Sequence, residues 1–299
     1  MKRILTIQDI SCFGKCSITI ALPVLSAMGI ETAVLPTAIL STHTMFADYK
    51  KRDLTDTILP FAEQWKDNGV TFDGIYTGYL GTAEDIELVM KVTDLFRNKD
   101  TLLFVDPVFG DHGRAYAGIS RDYGVRCAEL CRIADYAVPN ITEACLMTGT
   151  EYKEEYDEDY ILELAERVCG LGAANAIVTG VSYRGGMIGY QGVNRSSGHA
   201  YSYQTKMIDV SYHGTGDLFS AVTAGALVSG KRPEIAFRIA ADYTAETIRV
   251  TKEDSDDPRY GIHFESTIPY LLQLMEKDEE EWLSEKLNST CKSKFHTED

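Results

Sequence analysis

The sequence is short of basic side chains. It carries 29 Lys and Arg against 45 Asp and Glu, which gives a formal net charge of −16 and a sequence pI of about 4.8. Nucleic acids and anionic membranes both select proteins with clustered Lys and Arg. We therefore expect neither a nucleic acid nor a membrane as a partner. An anionic substrate stays open, because backbone dipoles can make a single site locally positive.

Long apolar runs and a cysteine framework are lacking too. No stretch reaches the length of a membrane span, and Met1-Lys2-Arg3 passes directly into a strand-like run, so we expect no signal peptide and a cytoplasmic protein. The odd number of cysteines favours reduced thiols over disulfides. Two pairs with i, i+4 spacing, 12/16 and 127/131, have no histidine partner. We interpret them as buried small side chains rather than a metal site. The seven cysteines stand at 12, 16, 127, 131, 145, 169 and 291.

Two common nucleotide-binding fingerprints are absent as well. No G-x-G-x-x-G follows the first predicted strand. Gly14-Lys15 is not a Walker loop, because residues 8–13 contain no glycine. Phosphate handling must therefore lie elsewhere, and the best candidate is Gly214-Thr215-Gly216-Asp217, ahead of an apolar helical run.

This 214–217 segment has the properties of an anion-binding helix start. Glycines let the backbone approach a ligand, and unpaired N–H groups at a helix start attract negative charge. A carboxylate at Asp217 is unfavourable beside a simple anion site. It suits a base that takes the proton of a hydroxyl attacking a phosphoryl group. An ordinary helix start, with Asp217 in the first turn, is an equal interpretation of these residues alone.

Strand-like and helix-like segments alternate along the chain. This alternation is typical of βαβ units, so we expect an α/β fold with three α-β-α layers, a mostly parallel central sheet and helices on both faces. We expect one domain over 1–287 and a polar C-terminal tail over 288–299. The predicted strands are 3–8, 31–40, 72–81 with its glycine turn, 102–105, 135–138 and 174–179, with a hairpin of 186–192 and 199–205. The predicted helices are 17–28, 53–67, 83–97, 124–132, 142–149, 160–170, 217–229, 234–250 and 266–287, with a loop or lid at 109–123.

Residues with useful chemistry stand at the predicted strand ends. Ligands of parallel α/β folds bind beyond the carboxyl ends of the strands, so these residues predict one shared site. They are Asp9, Thr44, Tyr79, Asp106, Asn140 and Thr179.

Several of these positions keep a second interpretation. Asp106 and Glu143 could contact Mg²⁺ on a nucleotide, directly or through water, or serve as a turn former and a first-turn helix residue. Thr179-Gly180 could hold phosphate oxygens or form a plain β-turn. Tyr79, between two glycines, could stack on a ring or pack in the core.

The order of these motifs resembles the pyridoxal/pyridoxamine kinase family of the ribokinase-like superfamily, over about residues 4 to 275. Asp106-Pro107 and Gly214-Thr215-Gly216-Asp217 are typical of the whole superfamily. Thr42-His43-Thr44 and Gly78-Tyr79-Leu80-Gly81 point to the vitamin B6 kinases. The other matching elements are Ile7-Gln8, Val108-Phe109-Gly110-Asp111 and Pro139-Asn140-Ile141-Thr142-Glu143.

The resemblance implies ATP-dependent phosphorylation of the 5′-hydroxymethyl group of pyridoxal, pyridoxamine or pyridoxine. It also implies Mg²⁺, room for a monovalent cation, and a homodimer. Asp217 would be the catalytic base and Gly214, Thr215 and Gly216 the anion hole. Thr44 and Tyr79 would lie at the pyridine ring. Asp106 and Glu143 would lie at the metal, and Asp111, Tyr116, Asn140, Thr179 and Gly180 on the nucleotide side, with Tyr116 in the closing loop.

One residue departs from the family pattern. Asp9 stands where many members have Ser, and its carboxylate could pair with a protonated pyridine nitrogen. Ring specificity is therefore open, and a hydroxymethylpyrimidine kinase is the alternative enzyme. A non-catalytic B6-binding sensor is the alternative from another class, although Asp217 and both flanking glycines are intact.

Overall fold

The computed structural model describes residues 1–254 and 257–282. Within these ranges, nine strands form one sheet: β1 (Arg3–Ser11), β2 (Glu31–Leu40), β3 (Lys51–Asp53), β4 (Gly74–Thr77), β5 (Leu102–Val105), β8 (Tyr136–Ala137), β9 (Asn175–Val181), β10 (Met187–Asn194) and β11 (Ala200–Lys206). Their order across the sheet is β11-β10-β9-β8-β5-β4-β1-β2-β3. A separate two-residue hairpin pairs β6 (Gly110–Asp111) with β7 (Arg114–Ala115).

The sheet is mostly parallel, which confirms the predicted fold class. Strands β2, β1, β4, β5, β8 and β9 run parallel, whereas β3 pairs antiparallel with β2 on one side, and β10 pairs antiparallel with β9 and β11 on the other. The central strands β4 and β5 are short runs that are buried on both faces apart from a half-buried Leu102, as parallel strands require.

Helices cover both faces of the sheet and complete the three layers. The alternation of side chains along β1 shows this directly, because Ile4 packs with α1 and α7–α9 whereas Leu5 and Ile7 pack with α2–α6. The helices are α1 (Ile18–Ala27), α2 (Thr55–Asp67), α3 (Ala83–Phe96), α4 (Arg121–Arg132), α5 (Ile141–Thr148), α6 (Glu158–Leu171), α7 (Thr215–Val228), α8 (Pro233–Asp254) and α9 (Phe264–Glu276).

The last predicted helix, 266–287, is wrong in its extent. α9 ends at Glu276, because Lys277 leaves the helical backbone with ψ 134°, and a short helical turn follows at 279–282. This break lets Trp282 fold back and become buried. The centroid of its ring lies 4.8 Å from Nζ of Lys277 and 4.8 Å from Cζ of Arg238, so both cations contact the ring. The rest of that prediction, and the tail 288–299, lie outside the described residues.

Other features also differ from the predictions. Thr179 and Gly180 lie inside β9 rather than in a turn after it. The segment 109–123 contains the β6–β7 hairpin and the start of α4, where a loop was expected. Cys12 is exposed and Cys16 is buried in a non-helical segment, whereas Cys127 and Cys131 are buried on α4 as expected. Among the described helices, none is long and apolar enough to cross a membrane.

Candidate active site

Three neighbouring strands bring their carboxyl ends together beside the start of α7. β5, β4 and β1 lie side by side; Asp106 and Tyr79 stand just beyond the ends of β5 and β4, whereas Asp9 lies inside β1, which continues to Ser11 past the predicted strand end. The Asp217 carboxylate contributes to the raised pKa of both Asp9 and Asp106, so it lies near both. The structure therefore gathers these four predicted site residues at one edge of the sheet, where α/β folds bind ligands.

Gly214 turns the chain into α7. Its φ is +86°, and an added Cβ would overlap the backbone carbonyl of Lys15, so only glycine fits. The helix begins at Thr215, two residues before the predicted start. The N–H groups of residues 215–217 therefore belong to the first turn, where an α-helix has no internal acceptor for them. A Cβ on Gly216 would meet open space. These features fit the predicted anion hole.

Asp217 is partly buried in this first turn. Burial raises the pKa of its carboxyl above the ordinary value, and a hydrogen bond from the Ser17 backbone N–H opposes that rise. Ser17 precedes α1 at φ +49°, a conformation that is costly for a residue with a side chain. The Thr215 hydroxyl donates to the Tyr212 carbonyl at 3.3 Å, so the group that Thr215 can offer an anion is its backbone N–H.

Asp9 is a second carboxyl beside Asp217, and it is only 4% exposed. Burial raises its pKa to about 6, while hydrogen bonds from the Ser17 and Ser11 hydroxyls lower it and the charge of Asp217 raises it. The Ser11 hydroxyl lies 3.3 Å from Oδ2 of Asp9. Burial of the Asp9 carboxylate is therefore offset only in part by its hydrogen bonds, and a cationic ligand group beside it would lower the cost of that burial.

Asp106 is held from the opposite side of the site. The Ser220 hydroxyl donates to its Oδ2 at 2.7 Å, and both residues are buried. Burial raises the pKa of the Asp106 carboxyl, and the nearby charges of Glu143 and Asp217 raise it further. The carboxyl is thus poised for a cation that would relieve this repulsion.

Asn140 and Glu143 form a capping box at the start of α5. Asn140 Oδ1 accepts from the Glu143 N–H at 2.9 Å, and Glu143 Oε2 accepts from the Asn140 N–H at 2.9 Å. Glu143 Oε1 accepts the N–H groups of Phe109 at 2.8 Å and Gly110 at 3.4 Å. The Asn140 amide also donates to the Gly110 carbonyl at 2.8 Å. These bonds tie the chain after β5 to α5.

Residues 111 and 116 lie on the hairpin side of the site. Asp111 is exposed, and its Oδ1 accepts the His112 N–H at 2.8 Å. Tyr116 is 44% exposed, and its N–H donates to the Phe109 carbonyl at 2.9 Å. Partial burial raises the pKa of the Tyr116 phenol, with Glu143 the largest of the contributing charges. The hairpin therefore presents Tyr116 near the carboxylates.

Thr179 and Gly180 lie in β9 next to Asn140. The Thr179 N–H donates to the Pro139 carbonyl at 3.0 Å, and Asn140 forms a parallel bridge with Thr179. Gly180 has φ +70°, and a Cβ there would meet nothing within 4 Å. Both residues thus stand at the same sheet edge, although within a strand.

The ring-side residues are Thr44 and Tyr79. Thr44 is exposed in the loop after β2, directly after the buried His43. Tyr79 lies 6.4 Å from Tyr123 between ring centroids, and burial raises its pKa. The preceding Gly78 is packed so closely that a Cβ would come within 2.5 Å of Gln8 Oε1. That contact fixes the start of the Tyr79 turn against β1.

A surface cavity of about 730 Å³ lies at the other edge of the sheet. It is lined by the starts of β5, β8 and β9, including Leu102, Tyr136 and Asn175. These are the amino ends of parallel strands, opposite the edge where α/β folds bind ligands. The cavity is therefore separate from the candidate site.

A family model described as phosphomethylpyrimidine kinase matches residues 6–259. The chain belongs to this family. The match spans the strands β1, β4 and β5 and the start of α7, so it includes the whole gathered site. The predicted resemblance to ribokinase-like B6 kinases is confirmed by the relatives that follow.

Solved and curated relatives agree with the family. The crystal structure of a pyridoxal kinase from Lactobacillus plantarum is similar to this chain, with 30% sequence identity and a TM-score of 0.84. The match covers 92% of this chain and 98% of the relative. A Bacteroides thetaiotaomicron protein assigned to the phosphomethylpyrimidine kinases was solved with pyridoxal. It is 32% identical, with a TM-score of 0.86, and the match covers 90% of this chain and 95% of the relative. A pyridoxal kinase of Dictyostelium discoideum is 26% identical, and the match covers 75% of this chain and 77% of the relative.

Four residues near the family site were not predicted. Ser17 and Ser220 contact the carboxyls of Asp217 and Asp106, and the rings of His43 and His213 stack. Ser220 was detectable in principle, because it follows Asp217 by three residues and so shares its helix face. No local pattern joins Ser17 to Asp217 or His43 to His213, since these contacts cross 200 and 170 residues of chain.

Proposed function

We propose that this protein transfers the γ-phosphoryl group of ATP to the 5′-hydroxymethyl group of pyridoxal, pyridoxamine or pyridoxine. The observation that carries the proposal is the position of the Asp217 carboxyl. It lies in the first turn of α7, directly after the backbone of residues 214–216 and near the buried carboxyl of Asp9. The pyridoxal kinases among the relatives, and the relative solved with pyridoxal, support the choice of substrate.

Asp217 acts as the general base in this proposal. It accepts the proton of the substrate hydroxyl while that oxygen bonds to the γ-phosphorus and the bond to the β-phosphate oxygen breaks. The backbone N–H groups of Gly214, Thr215 and Gly216 hold the transferring group, together with the positive end of α7. Burial raises the pKa of Asp217, which makes it a stronger base than an exposed carboxylate.

The pyridine ring is proposed to lie between Tyr79 and Thr44, with its nitrogen toward Asp9. A protonated pyridine nitrogen would pair with the Asp9 carboxylate and offset the cost of its burial. This pairing favours a ring that carries a proton readily. Pyrimidine nitrogens are weaker bases, so Asp9 favours the B6 vitamers over hydroxymethylpyrimidine.

The nucleotide side is proposed to comprise Asp111, Tyr116, Asn140, Thr179 and Gly180. The proposal is supported by the bridge between Asn140 and Thr179 and by the position of Tyr116 after the hairpin, where the charges of Glu143 and Asp106 act on its phenol. Closure of the 109–123 segment over ATP remains part of the proposal.

Magnesium is proposed to bind with the nucleotide near Asp106 and Glu143. Burial, followed by the nearby charges of Glu143 and Asp217, raises the pKa of the Asp106 carboxyl, so this residue fits a cation. Glu143 accepts three backbone N–H groups, so we assign it a contact through water. Asp106, and Glu143 through water, would hold the ion, which would supply positive charge beside the phosphate oxygens.

Further properties come from the sequence and from the resemblance. We propose a cytoplasmic homodimer with one domain over residues 1–287, and an ion-binding position for a monovalent cation. Size-exclusion chromatography with light scattering tests the dimer. Activity in K⁺ against tetramethylammonium salts tests the monovalent cation.

A second function is favoured by the name of the family model, phosphomethylpyrimidine kinase. A coupled assay of ADP release separates the possibilities, with pyridoxal, pyridoxamine, pyridoxine and hydroxymethylpyrimidine as acceptors. We expect the highest kcat/KM on a B6 vitamer, and mass spectrometry should find its 5′-phosphate. Preference for hydroxymethylpyrimidine would support the second function. Vitamer binding without ADP release from any acceptor would indicate a sensor.

A further inference from the structure

Two histidines stack between the ring side and the phosphate side of the site. The ring centroids of His43 and His213 are 4.1 Å apart, with an angle of 32° between the planes. His43 immediately precedes Thr44 in sequence, and His213 immediately precedes Gly214. The stack therefore joins the residues adjacent to the proposed ring contact and to the proposed anion hole.

His43 is held as a neutral ring of one tautomer. Its Nε2 lies 2.7 Å from the Arg259 carbonyl oxygen, which can only accept, so Nε2 carries the hydrogen. Its Nδ1 accepts the Met45 N–H at 3.3 Å. Both nitrogens of this ring, 1% exposed in all, are thus satisfied without a proton on Nδ1. Burial and the neighbouring His213 lower the pKa of His43, in agreement.

The surrounding backbone leaves the stack little room to move. A Cβ on Gly14 would overlap the His43 imidazole, and one on Gly214 would overlap the Lys15 carbonyl. Gly261, at φ +77°, lies against the same carbonyl, at 3.1 Å from where its Cβ would stand. The segment 14–15 is therefore packed tightly against both the His43 ring and the glycine that begins α7.

We propose that His43 and His213 are positioning residues that set the separation between the vitamer ring and the anion hole. This inference rests on the proposed function and adds the means by which the two halves of the site keep register. Neither ring takes a proton from the substrate. The stack transmits the position of the 41–49 loop to the Gly214 backbone, because packed aromatic rings resist sliding and separation.

The expected consequence is a loss of turnover rather than of binding. A misplacement of about 1 Å can cost about 100-fold in rate, because the attacking oxygen and the phosphorus lose alignment. His213→Ala removes one ring of the stack and leaves the Gly214 backbone, so kcat should fall about 10- to 100-fold. The KM for the vitamer should change less than about threefold. His213→Phe keeps a flat ring and should recover most of kcat.

The test is a double-mutant cycle on full-length protein, using the preferred acceptor of the wild type. His43→Ala, His213→Ala and the double variant are compared, and activity is normalised to the folded fraction from urea unfolding. If the stack is the link, the double variant loses no more kcat than the worse single variant. Tyr260→Ala is the matched control, because it removes an aromatic ring next to the histidine pair without removing either histidine. The ring centroids of Tyr260 and Phe13 are 5.9 Å apart.

Each outcome decides the inference. Additive losses, a His213→Phe variant as poor as His213→Ala, or equal loss in Tyr260→Ala would overturn it. So would a lower unfolding free energy with unchanged kcat per folded molecule, which is what a purely structural pair would give. Failure of the proposed function is separate, because then the wild type itself turns over no B6 vitamer; another preferred alcohol would still allow the same cycle.

Discussion

The Ser220 hydroxyl donates a 2.7 Å hydrogen bond to Oδ2 of Asp106, across 114 residues of sequence. Ser220 follows Asp217 by three residues on α7, so the two side chains share one face of the helix. This contact fixes the helix that carries the proposed base to the end of β5, where the proposed metal contact stands. The proposed phosphoryl transfer would depend on that connection.

Ser220→Ala should therefore impair both stability and turnover. It leaves a buried carboxyl without its donor, so the unfolding free energy should fall by about 1–3 kcal/mol. The KM for Mg²⁺-ATP should rise, because Asp106 is no longer oriented. Thr223→Ala is the matched control, since the Thr223 hydroxyl donates to the Phe219 carbonyl of its own helix, at 2.8 Å. Equal changes in KM for both variants would contradict the assigned role of Ser220.

The two glycines of the proposed anion hole should respond differently to alanine. Gly214→Ala places a residue with a side chain in a left-handed conformation, which lowers the unfolding free energy by roughly 1–2 kcal/mol. The new methyl group would also overlap the Lys15 carbonyl. Gly216→Ala meets open space and should leave the unfolding free energy unchanged or higher. Its methyl group should nevertheless lower kcat, because the space it enters is the one proposed for the phosphoryl group. Full activity in Gly216→Ala would remove the anion hole from this position.

Asp217→Asn should abolish most turnover while leaving the vitamer bound. Loss of a positioned base typically costs about 10²–10⁴ in rate. The wild-type kcat should fall as pH drops through the raised pKa of Asp217, because the base becomes protonated, and the residual rate of the variant should lack that limb. Stopped assays of kcat and calorimetric binding of pyridoxal measure the two effects. Near-wild-type kcat in the variant rules out Asp217 as the base.

Asp9 should make the stability of the free protein depend on pH. Its pKa is raised from 3.8 to about 6, so between these values the folded chain binds more protons than the unfolded one. The unfolding free energy therefore falls as pH rises through this window, by about 3 kcal/mol from this group. Asp9→Asn should remove that part of the fall. Urea unfolding of the wild type and of Asp9→Asn from about pH 4 to pH 7 measures this difference. If the unfolding free energies of the two proteins changed in parallel with pH, the raised pKa of Asp9 would be contradicted.

Local patterns in the sequence predicted much of the site. Strands such as Leu102–Val105 are apolar runs that end at polar or proline residues, and those ends are defined by neighbours in sequence. The turn at Gly214 is local for the same reason, since a positive φ depends on the residue itself. The arrangement of parallel strands then follows from connection rules, which is why Asp9, Asp106 and Asp217 could be expected together.

Contacts between distant segments were beyond that reach. The end of α9 goes together with the burial of Trp282 against Arg238, and Thr179 stays in β9 because it pairs with Tyr190 of β10 and bridges Asn140. Neither effect leaves a mark on the local periodicity. The sequence by itself determined the order of strands and helices, the turn at Gly214 and the set of chemical groups at strand ends. Only the tertiary structure decided which groups touch, namely Ser220 with Asp106 and His43 with His213, because those choices are made by packing across the sheet edge rather than along the chain.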